Sequence, residues 1–309
     1  MQAPTDPISG FPAFRLSGSY FTRRRFLERT FGSAIALPTL ASCAALGRHP
    51  PSGKQMRFGL VTYLWGKDWD LPTLLANCQK AQVLGVELRT THGHGVEPTL
   101  SGRQRQEVRK RFDDSPVILV GAGSNERFDN PDPAVVQKAI EATNRFAKLS
   151  HDVGGTGVKV KPDRFHPGIP REKTIEQIGR SLNVVGRYAA DYGQQIRLEV
   201  HGGCARLPVI KAIMEVADHP AVAVCWNSNK QDLEGEGLEH NFNLVNYRFG
   251  DTAHVHELGS GSYPYLQLMR LYQRINYAGW ILLEASSKPP DKVAALIKQR
   301  QIWESMAYR

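Results

Sequence analysis

From Met56 onward the chain alternates short, apolar, β-rich runs with helix-like segments eight times, and this alternation limits the fold more than any other feature. The strand candidates are Arg57–Tyr63, Val86–Arg89, Val117–Gly121, Gly157–Lys161, Arg197–His201, Val222–Trp226, Asp251–Glu257 and Trp280–Leu283. Asp70 is placed to cap the first helix, with Pro72 in its first turn and Gly85 beyond its end. Another helix opens at Pro133, runs towards His151 and stops before Gly154-Gly155. Thr174–Tyr192, Leu207–Ala217, Pro264–Ile275 and Asp291–Ser305 supply later helices, and Leu244–Phe249 is expected as a short one. Eight such units in about 250 residues fit a closed, parallel, eight-stranded (β/α)8 barrel better than an open doubly wound sheet. No GxGxxG follows the first strand and no GxxxxGK[ST] occurs, which removes the main support for a nucleotide cradle. One catalytic domain over residues 56–309 is the expectation.

Residues 1–46 read as an address rather than as part of that domain. Thr22-Arg23-Arg24-Arg25-Phe26-Leu27 resembles a twin-arginine export motif, followed by an apolar stretch from Phe31 to Leu46 that Gly32 and Pro38 interrupt. That stretch is shorter than the roughly 20 residues a membrane-spanning helix needs. Leu40-Ala41-Ser42-Cys43 resembles a lipobox, whose cysteine would be lipidated, and residues 47–55 look like a tether. The expected location is therefore the periplasm, free or as a membrane-anchored lipoprotein, with contact to the membrane only through the signal or lipid.

The net charge of +9 raises the question of nucleic acid, but its distribution weakens that reading. Five arginines against Asp6 and Glu28 precede Cys43, and the remaining excess is spread without a long basic run, so no nucleic-acid partner is expected. Cys43, Cys78, Cys204 and Cys225 form no CxxC pair, which excludes a zinc-finger scaffold.

Barrels of this kind carry their chemistry at the C-terminal ends of the strands and the loops that follow. Those positions offer Trp65, His92, His94, Asn125, Lys159, Lys161, Glu199, His201, Asn227, Asn229, His254, His256 and Glu284. Carboxylates converging from strands five and eight, beside a histidine of strand seven, need a cation, a proton or a hydrogen-bond network when buried. One divalent ion (Mn, Zn, Co or Mg) meets that need.

Leu198-Glu199-Val200-His201, Cys225-Trp226-Asn227-Ser228-Asn229, His254-Val255-His256-Glu257 and Leu283-Glu284 resemble the late strands of xylose isomerase-like TIM barrels, as does the approach Leu84-Gly85-Val86-Glu87-Leu88. That superfamily holds sugar isomerases, ketose 3-epimerases, hydroxypyruvate isomerases, inosose dehydratases and endonuclease IV. The resemblance implies that Glu199 and Glu284 bind the metal and exchange a proton with a small carbohydrate substrate. It implies His256 as the imidazole ligand, with His254 expected on the other strand face as a core histidine. Asn227 stands where relatives carry an aspartate, so the site has one formal negative charge fewer, and Lys230 stands where they carry a histidine. Trp65, His92, Lys161, His201 and Asn229 are the candidate substrate contacts. A structural ion pair remains an alternative for Glu199, as does neutralisation of Glu199 by Lys161.

The implied activity is metal-dependent isomerisation or epimerisation of a sugar or keto-sugar, by proton abstraction next to a metal-bound carbonyl. Two alternatives stand beside it: a lyase or dehydratase acting on a 3-keto sugar or glycoside, and a non-catalytic carbohydrate-binding lipoprotein. Endonuclease chemistry is disfavoured because no Asp-x-His follows strand seven within Glu257–Tyr265. Homo-oligomerisation is left open.

Overall fold

The computed structural model describes residues 56–307; the export motif, Cys43 and the tether lie outside the described residues. Eight parallel strands close into a barrel in sequence order, β1 pairing with both β2 and β8. They are β1 (Arg57–Val61), β2 (Gly85–Arg89), β3 (Ile118–Arg127), β4 (Gly157–Lys161), β5 (Gln195–Glu199), β6 (Val222–Asn227), β7 (Phe249–Val255) and β8 (Trp280–Leu283). The helices between and after them are α1 (Leu71–Ala81), α2 (Gly102–Asp113), α3 (Pro133–Val153), α4 (Arg171–Ala190), α5 (Leu207–Val216), α6 (Gly237–Val245), α7 (Tyr265–Arg274) and α8 (Lys292–Ala307). The (β/α)8 expectation is met.

Local chemistry explains where the helices begin. Asp70 Oδ1 accepts from the Thr73 amide at 2.8 Å, capping α1, and Asp132 Oδ1 does the same for Ala134 at the start of α3. Gly154 ends α3 at φ 92°, a left-handed value that favours glycine. Two helices depart from the sequence expectation. Helix α2 was given no place by the pattern because only Val108 and Phe112 are buried along its twelve residues. The short helix expected at Leu244–Phe249 is instead α6, ending at Val245, with a 3-10 turn at Asn246–Arg248 and β7 starting at Phe249.

The main apolar core lies between strands and helices, where Val86, Leu119, Val158, Leu198, Trp226 and Val255 are buried. A separate, small cluster of Val61, Val120, Trp280 and Leu282 lies inside the barrel. Trp280 takes the place of a side chain on β2: a Cβ at Gly85 would come within 2.3 Å of its ring. Arg197 fills the lower interior, fully buried, bonded to the Val120 carbonyl, Thr156 Oγ1 and Gln195 Oε1, and paired with Asp251 at 3.3 Å. Above this layer the interior is occupied by ionisable groups.

Candidate active site

Alternation along each strand sends every second residue inward. On β2 this delivers Glu87, on β4 Lys159 and on β5 Glu199, all at most 2% exposed. On β7 it delivers His254, fully buried; Ala253 and Val255, to either side, join the core beneath the helices. Asn227 closes β6, with His254 as its register partner on β7, and Glu284 follows the last residue of β8.

One ligand atom each from Glu199, His254 and Glu284 lies within 4.8 Å of the others. His254 Nδ1 stands 3.5 Å from Glu199 Oε1 and 3.8 Å from Glu284 Oε2, while its Nε2 faces Glu87 Oε1 at 3.3 Å. The carboxylate of Glu87 thus backs the ring on the side away from the other two, an arrangement common behind metal-binding histidines. Asn227 Nδ2 donates to Glu199 Oε1 at 2.8 Å and Glu284 Oε2 at 3.3 Å, and its Oδ1 is buried without a hydrogen-bond partner among the described residues. Two carboxylates, an imidazole nitrogen and a spare amide oxygen suit a divalent cation, provided the amide turns over to present that oxygen.

The histidine of this cluster is His254, where the sequence reading had put His256. His254 and His256 are two residues apart and share a strand face, so what separates them is height. His256 lies past the end of β7, where its amide reaches Tyr265 Oη (3.0 Å) and Ser228 Oγ (3.3 Å), and its Nδ1 lies 3.1 Å from the Glu284 carbonyl.

Lys159, which the sequence analysis left unassigned, places Nζ 2.9 Å from Glu199 Oε2. Burial of this pair disfavours both charges, but each stabilises the other. Despite burial, Lys159 and His254 hold the Glu199 carboxyl well below the usual range. Glu199, Glu87 and Glu284 likewise hold the Lys159 ammonium above its ordinary value. Burial also opposes charge on His254, yet the Cys225 sulfur and the Glu87 and Glu199 carboxylates raise its pKa well above normal. The ion-pair partner of Glu199 is therefore Lys159, in place of the Lys161 weighed from sequence.

The expected substrate contacts fall into two groups. Lys161 closes β4, 7% exposed and on the same inward face as Lys159. His92 is half-buried after β2, near Thr62 Oγ1 at 3.2 Å; burial first, then Arg89 and His94, push its pKa down to about 4. His201 follows β5, with Nδ1 3.5 Å from Asp163 Oδ1. Trp65 is only 2% exposed and donates Nε1 to the Ser287 carbonyl at 2.9 Å, so its ring is packed rather than offered as a stacking face. Asn229 spends its side-chain donor on the Val200 and Asn227 carbonyls, at 2.7 and 2.8 Å, which makes it a builder of the loop after β6.

That loop carries a titratable latch. Asp232 Oδ2 accepts from the Asn229 amide (2.8 Å) and Tyr263 Oη (2.7 Å), and burial pushes the carboxyl up to about 7. Such an acid favours the folded loop while protonated, so that contribution is present below its unfolded value of about 3.9 and lost as pH rises through about 7. Amide protection across residues 229–233, taken relative to the intrinsic exchange rate at each pH, should fall between pH 5 and pH 8, and Asp232→Asn should flatten this dependence. A dependence unchanged in Asp232→Asn would assign it to another group.

The chain matches the family described as xylose isomerase-like TIM barrel over residues 75–303. It belongs to that family. A search of the curated proteins finds no significant match. Among solved structures, this xylose isomerase-like barrel is similar to 3-keto-D-glucoside 4-epimerase YcjR from E. coli, at 14% identity over 81% of this chain and 100% of that one, with a TM-score of 0.70. It is similar to an L-ribulose 3-epimerase at 17% identity, over 82% and 95% of the two chains, TM-score 0.69. It is also similar to the IolI protein with a bound zinc atom, at 14% identity over 82% and 98%, TM-score 0.69. At such identities the likeness establishes the fold of the xylose isomerase-like barrel and leaves its chemistry to be argued from its own residues.

Proposed function

We propose that the protein is a metal-dependent isomerase or epimerase of a sugar or keto-sugar. The observation that carries this reading is the convergence of Glu199, His254 and Glu284 within 4.8 Å at the C-terminal end of the barrel. Similarity to sugar epimerases and to a zinc-binding relative supports it. Glu199, His254 and Glu284, with Asn227 after its amide turns, would hold a divalent cation, which when bound supplies Lewis-acid polarisation of a substrate carbonyl.

The chain's own groups supply the proton chemistry. Glu284 has the weaker partners of the two glutamates: an amide at 3.3 Å and an imidazole nitrogen at 3.8 Å. It is therefore the group free to remove a proton from the carbon beside the carbonyl. Glu199, tied to Lys159 at 2.9 Å, is the poorer base and holds its charge in place. Buried walls around these groups exclude water, which preserves the strength of each interaction.

A second reading, loss of a leaving group from a 3-keto sugar, is favoured by His201, an imidazole beyond the glutamates that stands 3.5 Å from Asp163 and whose pKa burial lowers, so that it is available as a second base. Product analysis with keto-sugars separates the two.

The test is metal content of the full chain purified without chelator. About one equivalent of Mn, Zn, Co or Mg is expected in the wild type and in His256→Ala, and at most a tenth of that in His254→Ala. Retention by His254→Ala with loss in His256→Ala would move the site to the strand end. No metal retained, and none taken up on titration, would favour the non-catalytic carbohydrate-binding reading.

A further inference from the structure

The upper wall of the barrel from β2 to β4 carries two cations, Lys161 and Arg89, that make no direct ion pair among the described residues. Lys161 is 7% exposed, and its ammonium makes no hydrogen bond, and no ion pair within 4.0 Å, among the described residues. Burial of such a group without a partner is strongly disfavoured. Burial and Lys159, on the same face of β4, lower the affinity of Lys161 for a proton, as does Arg89, closing β2; Glu199 and Glu284 act the other way without making an ion pair, and the net direction is downward. Arg89 has no ion pair among the described residues; its guanidinium lies 4.7 Å above the Tyr63 ring and reaches Asn125 Oδ1 only at 3.4 Å.

The nearby carboxylates are already engaged. Asp163 accepts from Arg127 at 2.8 Å and Arg164 at 3.1 Å, Glu97 accepts from Thr90 Oγ1 and the Thr91 amide, and Glu199 is held by Lys159. Against Glu87, Glu199 and Glu284 stand Arg89, Lys159, Lys161 and His254, whose raised pKa keeps it protonated, so one positive charge is in excess before any metal is added. A divalent cation that displaced the His254 proton would leave an excess of two positive charges in a partly desolvated space. Something anionic has to complete it.

We propose that Lys161 and Arg89 form the docking site for an anionic group of the substrate, a carboxylate or phosphoryl group, across the barrel mouth from Glu284. This rests on the isomerase or epimerase reading and narrows its substrate class from neutral sugars to acidic ones. Lys161 supplies a compact point charge, and Arg89 a planar fork steadied by Tyr63, a combination suited to oxyanions.

The probes are acetate and inorganic phosphate, titrated into the full chain at constant ionic strength with potassium chloride as reference, with thermal midpoint and calorimetric binding as readouts. At least one anion is expected to raise the wild-type midpoint saturably. Lys161→Met should melt at or above the wild type in anion-free buffer, since it removes an unmatched buried charge, and should bind the anion at least tenfold more weakly. Arg89→Gln should also weaken binding. A response to acetate assigns a carboxylate, and a response to phosphate alone assigns a phosphoryl group. Equal responses in wild type and Lys161→Met, no response to either anion, or a lower anion-free midpoint for Lys161→Met would each overturn the proposal. Metal content and solvent-proton exchange, read on the same samples, report separately on the enzyme reading. If those fail while the anion response persists, the docking site stands without that chemistry.

Discussion

Replacing Glu284 with glutamine is expected to slow proton exchange between a keto-sugar substrate and solvent by about a thousandfold, within the range general acid–base groups contribute. The fold should scarcely notice. Glu284 sits at the strand end, 9% exposed, and its backbone amide donates to the Val255 carbonyl at 2.8 Å whatever side chain it carries. Glutamine keeps the volume and an oxygen able to accept from Asn227 Nδ2, so unfolding free energy should change by no more than about 1 kcal/mol. What disappears is the basic carboxylate. Urea unfolding and deuterium exchange on one preparation decide the matter. A variant that is several kcal/mol less stable with unchanged metal content would make Glu284 a structural residue. A stable variant with undiminished exchange would move the base elsewhere, His201 being the next group to test.

The barrel was legible in the sequence because each of its units announces itself locally. Gly157–Lys161 and Trp280–Leu283 have the expected strand bounds; α1 starts behind Asp70, whose capping role was read directly, and α3 opens at Pro133 as expected. Helix α2 escaped because a helix burying two side chains has almost no periodic signal. The two glutamates were legible from their places at the ends of β5 and β8. The choice of histidine differs because the sequence reading put His254 on the opposite strand face, whereas residues two apart share one. Strand alternation gives His254 and His256 the same face, and only the height at which β7 meets Asn227 of β6 decides which one reaches the glutamates. Glu87 and Arg197 were not singled out, because a sequence does not say that a barrel interior will tolerate buried charges at these places. That depends on cross-barrel pairing with His254 and Asp251, which joins residues more than fifty positions apart.

Lys159→Met is expected to produce the largest loss of stability among the substitutions considered, about 3–5 kcal/mol near neutral pH, the range for removing one partner of a buried ion pair. Lys159 is 2% exposed, and its ammonium lies 2.9 Å from Glu199 Oε2 and 3.3 Å from the Ser124 carbonyl. Methionine preserves most of the stem and removes the charge. Glu199 is then a buried carboxylate near Glu87 and Glu284, with His254 as its nearest cation and Lys161 farther off. In the wild type the depressed Glu199 pKa contributes stability above the unfolded value of about 4.3, and that contribution fades only as pH falls through the lower folded value. In Lys159→Met, burial without the Lys159 ammonium raises the same pKa instead, so the deficit should shrink towards pH 4 and widen as pH rises. Adding Glu199→Gln should recover a large part of the loss, because the uncompensated charge is what destabilises. A Lys159→Met protein that unfolds within about 1 kcal/mol of wild type at pH 7, with no recovery on adding Glu199→Gln, would mean the ammonium is not what keeps Glu199 ionised. In that case a cation bound by Glu199, His254 and Glu284 would have to hold the charge in the wild type as well, and stripping it with chelator should reproduce the loss that the substitution failed to cause.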